Sequence, residues 1–149
     1  MNLLKIAKVG VVLSLLLCYS CGTNTTKHQD DALISQVLDC QHEDKCYALV
    51  IPMDGCGGCR SIAIQFLKDS VYQKPAMHYV ASTRHAKTAK IKLGDAFADQ
   101  QVVMDTKEVF YQEESSEKYP LLYQLENGNV LGKKELGPST IQKELYSIK

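Results

Sequence analysis

Apolar positions along this chain follow two rhythms, one of helical spacing and one of short unbroken runs. Leu33, Ile34, Val37 and Leu38 make one stripe at helical spacing, with Asp30 or Asp31 placed to cap it, and that helix is expected to stop near Cys40. A charged connection, Gln41 to Lys45, leads into Cys46 to Ile51, an apolar run of strand length that lacks alternation and so predicts a strand buried on both faces. Within the helix-like run from Arg60 to Asp69, Ile62, Ala63, Phe66 and Leu67 recur at the three and four spacing of an amphipathic helix. Met77 to Ser82, opened by Pro75, reads as a second strand, Arg84 to Leu93 as a helix with lysines on its outer face, and Gln101 to Met104 as a third strand. Asp105 is placed to cap a short helix through Val109 and Phe110. This alternation of strand and helix is the signature of parallel strands joined by crossover helices. The last quarter differs: Leu121 to Leu125 and Val130 to Glu135 read as two strands joined through Asn127-Gly128, a strong hairpin signal. Gly137-Pro138-Ser139 breaks the strand, and Thr140 to Ile148 carries Ile141, Leu145 and Ile148 at helical spacing.

At 149 residues the chain is sized for one domain, and its 17 Lys and Arg against 17 Asp and Glu provide no basic footprint for nucleic acid. Its six cysteines suit an oxidising compartment better than the cytosol. The N-terminus points the same way. Lys5 and Lys8 precede the apolar run Val9 to Leu17, a layout of a secretory signal and too short for a comfortable membrane span. It ends in Cys18-Tyr19-Ser20-Cys21, where small Ser20 directly before Cys21 resembles the bacterial lipobox, although Cys18 stands where such sequences usually carry Leu. Cys21 is then the lipidated mature N-terminus; ordinary cleavage and an uncleaved anchor are the alternatives. Gly22 after Cys21 does not indicate inner-membrane retention, which favours the outer membrane. Residues 1–20 are thus expected to be a signal peptide, polar residues 21–29 a flexible tether, and 30–149 the folded domain, held outside the cytoplasm in the cell envelope.

Removing the leader leaves two close cysteine pairs, Cys40 with Cys46 and Cys56 with Cys59. Cys56-Gly57-Gly58-Cys59 lies where the Tyr47 to Ile51 run gives way to a helix, and a helix start favours thiolate over thiol through unpaired N–H groups and its dipole. In the redox reading Cys56 is the attacking thiolate and Cys59 the resolving thiol, with no cofactor required. An inert bridge is the plain alternative. A metal reading competes, with Cys40, Cys46, Cys56 and Cys59 as four thiolates and His42 as a substitute, or Cys56 and Cys59 alone for Cu(I). Cys40 and Cys46 form either a structural disulfide or two buried thiols. His78 and His85 show no partner at catalytic spacing, and Glu113, Glu114 and Glu117 read as a solvated loop.

The order of strand, C-x-x-C, helix, further strand and helix turns, X-Pro hairpin and closing helix resembles the thioredoxin fold, over about the last hundred residues from Cys46 to Lys149. The segment Tyr119-Pro120-Leu121-Leu122-Tyr123-Gln124-Leu125-Glu126-Asn127-Gly128-Asn129-Val130 looks like that family's proline, strand, turn and strand. The resemblance implies an α/β three-layer sandwich, a central mixed sheet with helices on both faces. It also implies a cis Tyr119-Pro120 bond beside the cysteines, with Tyr119 and Pro120 as the substrate platform; the alternative is a trans proline that starts an edge strand. Gly55, Gly58 and Val50 stand where the family commonly carries tryptophan, proline and a buried acid. The expected function is thiol-disulfide exchange on envelope proteins, with an unknown redox partner and a lipid anchor in the membrane. A non-catalytic binding lipoprotein of the same fold, with or without a thiophilic metal, is the alternative.

Overall fold

A computed structural model describes residues 32, 34, 35, 38, 45–70, 73, 74, 76–105, 107–110 and 118–148. The expected signal peptide, tether and lipidated Cys21 lie outside the described residues, as do Leu33, Val37, Cys40, His42, Pro75 and the acidic cluster Glu113, Glu114 and Glu117. Among the described residues no helix is long and apolar enough to cross a membrane.

Five strands form one mixed sheet in the order β3-β2-β1-β4-β5. β1 (Lys45–Pro52) runs through its centre, parallel to β2 (Met77–Ser82) and antiparallel to β4 (Leu121–Glu126). With both of its edges paired, its side chains can go only to the two faces, and both are buried. Leu49 and Ile51 enter one cluster while Ala48 and Val50 enter the other. The unalternated apolar run of β1 follows from that position. β3 (Val102–Asp105) adds in parallel beyond β2, and β5 (Asn129–Glu135) pairs antiparallel with β4 at the opposite edge.

Helix α1 (Gly57–Ser70) connects β1 to β2, and α2 (Ala86–Leu93), continued by a 3-10 turn over Gly94–Ala98, connects β2 to β3. Both crossovers step in one direction along the sheet, and right-handed crossovers that do so place their helices on one face. Accordingly Cys59, Ala63, Phe66 and Leu67 of α1 share a cluster with Ala89 and Leu93 of α2 and with Ile141 and Leu145 of the closing helix α3 (Ile141–Ser147). Burial of Phe66 and Leu67 on this stripe contributes about 1.5–3 kcal/mol each. The opposite face is covered by Ile34 and Leu38 and by Phe110, packed on Val50, Val80, Leu121 and Tyr123. Ala32, Ile34 and Ser35 are helical, and the Leu38 N–H donates to the Ile34 carbonyl at 2.8 Å.

Three expectations need correction. Residues 107–110 follow a turn, not the expected helix: Glu108 takes a left-handed φ of 54°, which breaks the helical path. Every described peptide bond is trans, so Tyr119-Pro120 is trans rather than cis, the isomer that an X-Pro bond prefers by about 0.5–1 kcal/mol without tertiary constraint. Nor does Pro120 open an edge strand, since β4 is internal; proline is tolerated because it precedes the first ladder residue.

The Asn127-Gly128 hairpin is as expected, with φ of 50° and 76° at its two turn residues, the signs of a type I′ turn. The register then skips Leu131, pairing Leu125 with Val130 and Gln124 with Gly132. Because an L side chain at Gly128 would sit in the left-handed region, Gly128→Val is expected to destabilise the domain by about 1–2 kcal/mol in urea unfolding, with an unchanged m-value.

Candidate functional site

The sheet ends β1 at Pro52 and turns at once, with the Gly55 N–H donating to the Pro52 carbonyl at 3.2 Å. α1 begins directly afterwards: the Arg60 N–H donates to the Cys56 carbonyl at 2.9 Å, which makes Cys56 the residue capping the helix. Its sulfur takes the place of a capping side-chain oxygen. The Cys59 N–H, the Cys59 thiol and the Gly58 N–H all donate to it, and the Arg60 guanidinium adds a nearby positive charge, so the Cys56 thiol is held below its ordinary range. Cys59, one turn inward, is only 1% exposed, among Ala63, Met53 and Leu49. Burial, followed by its contacts with Cys56, pushes the Cys59 thiol up to about 11. The two sulfurs are free thiols with opposite tendencies.

Gly57 and Gly58 are exposed in the first turn, and a Cβ added at Gly58 would meet nothing within 4 Å. Cys56 is therefore open to an incoming group on that side. Val50, at the position discussed for a buried acid, packs on the face of the sheet away from α1 and supplies no proton acceptor to Cys59.

Tyr119 and Pro120 do come to this end of the sheet. The Cys56 N–H donates to the Lys118 carbonyl at 2.9 Å, tying the motif to the residues just before β4. Tyr119 is half-buried against the cluster that contains Cys59, and the Pro120 carbonyl accepts the Leu136 N–H at 2.8 Å.

Cys46 is elsewhere. It lies near the start of β1, about 20 Å of strand before Pro52, and is buried in the opposite cluster. A centre drawing together Cys46, Cys56 and Cys59 is thereby excluded, and no group of three metal-ligating side chains occurs among the described residues. The proposed partner of Cys46, Cys40, lies outside the described residues. His85 caps α2 through its backbone, with its N–H donating to the Thr83 hydroxyl at 2.9 Å. A cleft of about 570 Å³ opens at the far end of β1 between Tyr47, Gln124, Lys134 and Ile148, away from the thiols.

The structure adds residues that periodicity did not single out. Arg60 Nη1 and Lys92 Nζ both donate to the Met53 carbonyl, at 2.8 and 3.1 Å. Lys92, expected on the outer face of its helix, turns inward instead. The Thr83 hydroxyl donates to Asp54 Oδ2 at 3.0 Å and so holds the other side of the loop. Arg60 was visible as the neighbour of Cys59, whereas Lys92 carried no signal at all. No family model, curated protein or solved structure matches this chain.

Proposed function

We propose that this chain is a thioredoxin-like thiol-disulfide oxidoreductase, acting on proteins of the cell envelope from a lipid anchor at Cys21. The observation that carries the reading is the opposed state of two adjacent free thiols: an accessible Cys56 stabilised as thiolate at a helix start and a buried Cys59 kept protonated. The strand order, the crossover helices and the hairpin that follows Pro120 support the fold assignment. The charged and apolar leader, with Ser20 before Cys21, supports export.

In the reducing direction the Cys56 thiolate attacks one sulfur of a substrate disulfide, forming a mixed disulfide and releasing the other sulfur as a thiolate. Cys59 then gives up its proton to solvent and attacks the Cys56 sulfur, closing the Cys56–Cys59 bond and releasing the second substrate thiolate. Two electrons pass to the substrate. Oxidation of a substrate dithiol is the same sequence reversed, and the relative potentials set the direction, about 30 mV being worth roughly 1.4 kcal/mol. Tyr119 and Pro120, beside the Lys118 carbonyl that receives the Cys56 N–H, form the platform for the substrate chain.

Alkylation by iodoacetamide across pH 5 to 10, read by peptide mass mapping, tests this reading. Cys56 is expected to react fastest, with a midpoint below the ordinary cysteine value of about 8.5, while Cys59 stays protected until the domain unfolds. Equal modification of both thiols with an unshifted midpoint, or the lack of any reversible potential for the pair, would overturn it.

A further inference from the structure

Among the described residues, the cations gathered around Cys56 are held by neutral partners rather than by ion pairs. Arg60 and Lys92 reach the same neutral acceptor, the Met53 carbonyl, three residues before Cys56. The Arg60 guanidinium folds back over the first turn, its Nη2 3.8 Å from where a Gly57 Cβ would sit. On the other side of the motif Lys118 offers its carbonyl to the Cys56 N–H and carries its ammonium 5.2 Å from the Tyr119 ring centre. None of these three cations forms an ion pair among the described residues. The end of β2 is different, with Arg84 Nε 3.8 Å from Glu108 Oε2. The acid in the motif's own loop is Asp54, engaged by the Thr83 hydroxyl. Counting the described residues alone, Arg60 and Lys92 outnumber Asp54 on one side of the thiol, and Lys118 adds a cation from the residue before the platform.

Resting on the redox reading above, we infer that the preferred substrates of Cys56 are disulfides flanked by carboxylates, steered and held by Arg60, Lys92 and Lys118. Two cations on one carbonyl are kept in place by geometry rather than by neutralisation. A peptide carbonyl satisfies one donor direction of each cation but cancels neither charge, which leaves their field free to act on an approaching anion. The carboxylates can belong to an acidic protein segment or to a small anionic disulfide, and both present the same chemistry.

Two small probes separate charge from reactivity: 5,5′-dithiobis(2-nitrobenzoate), which carries two carboxylates, and neutral 4,4′-dithiodipyridine. Rates of mixed-disulfide formation at Cys56 of the full chain, read by peptide mass mapping, give an anionic-to-neutral ratio. Any change in the thiolate population affects both probes alike and cancels in that ratio. In the double variant Arg60→Gln, Lys92→Gln the ratio is expected to fall about tenfold, and in the wild type to shrink similarly at 1 M salt, where the screening length is about 3 Å. A ratio unmoved by both the substitutions and the salt overturns the inference. The salt arm tests it without altering the chain, in case the double variant does not fold. Acidic and basic cystine peptides, compared in the same way, show whether a peptide can supply the carboxylates. A wild-type Cys56 inert to both probes would instead strike at the redox reading itself.

Discussion

Replacing Cys59 by Ala is expected to arrest the reaction halfway, with Cys56 held in a mixed disulfide. Incubated with glutathione disulfide, the Cys59→Ala variant should carry one glutathione on Cys56, stable for at least about a hundredfold longer than in the wild type. The magnitude follows from losing an intramolecular nucleophile at one helical step, since only dilute external thiols remain to resolve the adduct. Cys56→Ala should form no adduct at Cys59, whose sulfur is buried beneath the motif. In the wild type, resolution should speed up with pH. The Cys59 thiol is pushed up to about 11, so near neutral pH its attacking thiolate is a small fraction that grows about tenfold with each unit. In the mixed disulfide the contributions from the Cys56 thiolate disappear, but burial, the largest cause, remains. A resolution rate flat between pH 7 and 9, measured by quenched-flow mass analysis, would contradict this account of Cys59.

Asp105→Ala is expected to lower stability by about 3 kcal/mol, read as a melting temperature roughly 10 °C lower. Asp105 is 1% exposed at the end of β3, and its carboxylate accepts the Val109 N–H and the Phe110 N–H, each at 2.8 Å, with the Ser82 hydroxyl further off at 3.4 Å. Hydrogen bonds to a charged group contribute about 1.5–3 kcal/mol each, and alanine removes the acceptor of both donors. The turn also needs them, because Glu108 sits at a φ of 54° that its side chain does not favour. Phe110, fully buried with its ring centre 6.1 Å from that of Tyr123, would lose its anchor. Asp105→Asn keeps one acceptor and should lose about half as much. Differential scanning calorimetry of both variants would check the order; equal melting temperatures for wild type and Asp105→Ala would refute it.

Much of the fold was legible along the chain because local pattern and burial agree there. Met77–Ser82 needed no adjustment, and β1 and α1 differ from expectation only at their ends. The Asn127-Gly128 turn was readable because few residue pairs accept positive φ at both positions. The Asp105 cap was readable only in part: the chain shows an acid placed to receive backbone N–H groups, but whether they belong to a helix or a turn depends on Phe110 reaching the core beside Tyr123. The isomer at Pro120 was likewise not set locally, since X-Pro energies differ by about 1 kcal/mol or less and surrounding contacts decide.

By itself the sequence determined that this is an α/β chain with two thiols at a strand-to-helix junction, because apolar periodicity and motif spacing are local properties. Only the tertiary structure decided how those thiols differ. Cys56 is stabilised as a thiolate by N–H groups one turn ahead, and Cys59 is kept protonated by side chains from distant parts of the chain. The same holds for the burial of Cys46 in the cluster on the opposite face of the sheet, and for the meeting of Arg60 and Lys92 on one carbonyl. Burial and electrostatic fields are set by what folds over a residue, and neighbours far apart in sequence leave no periodicity to read.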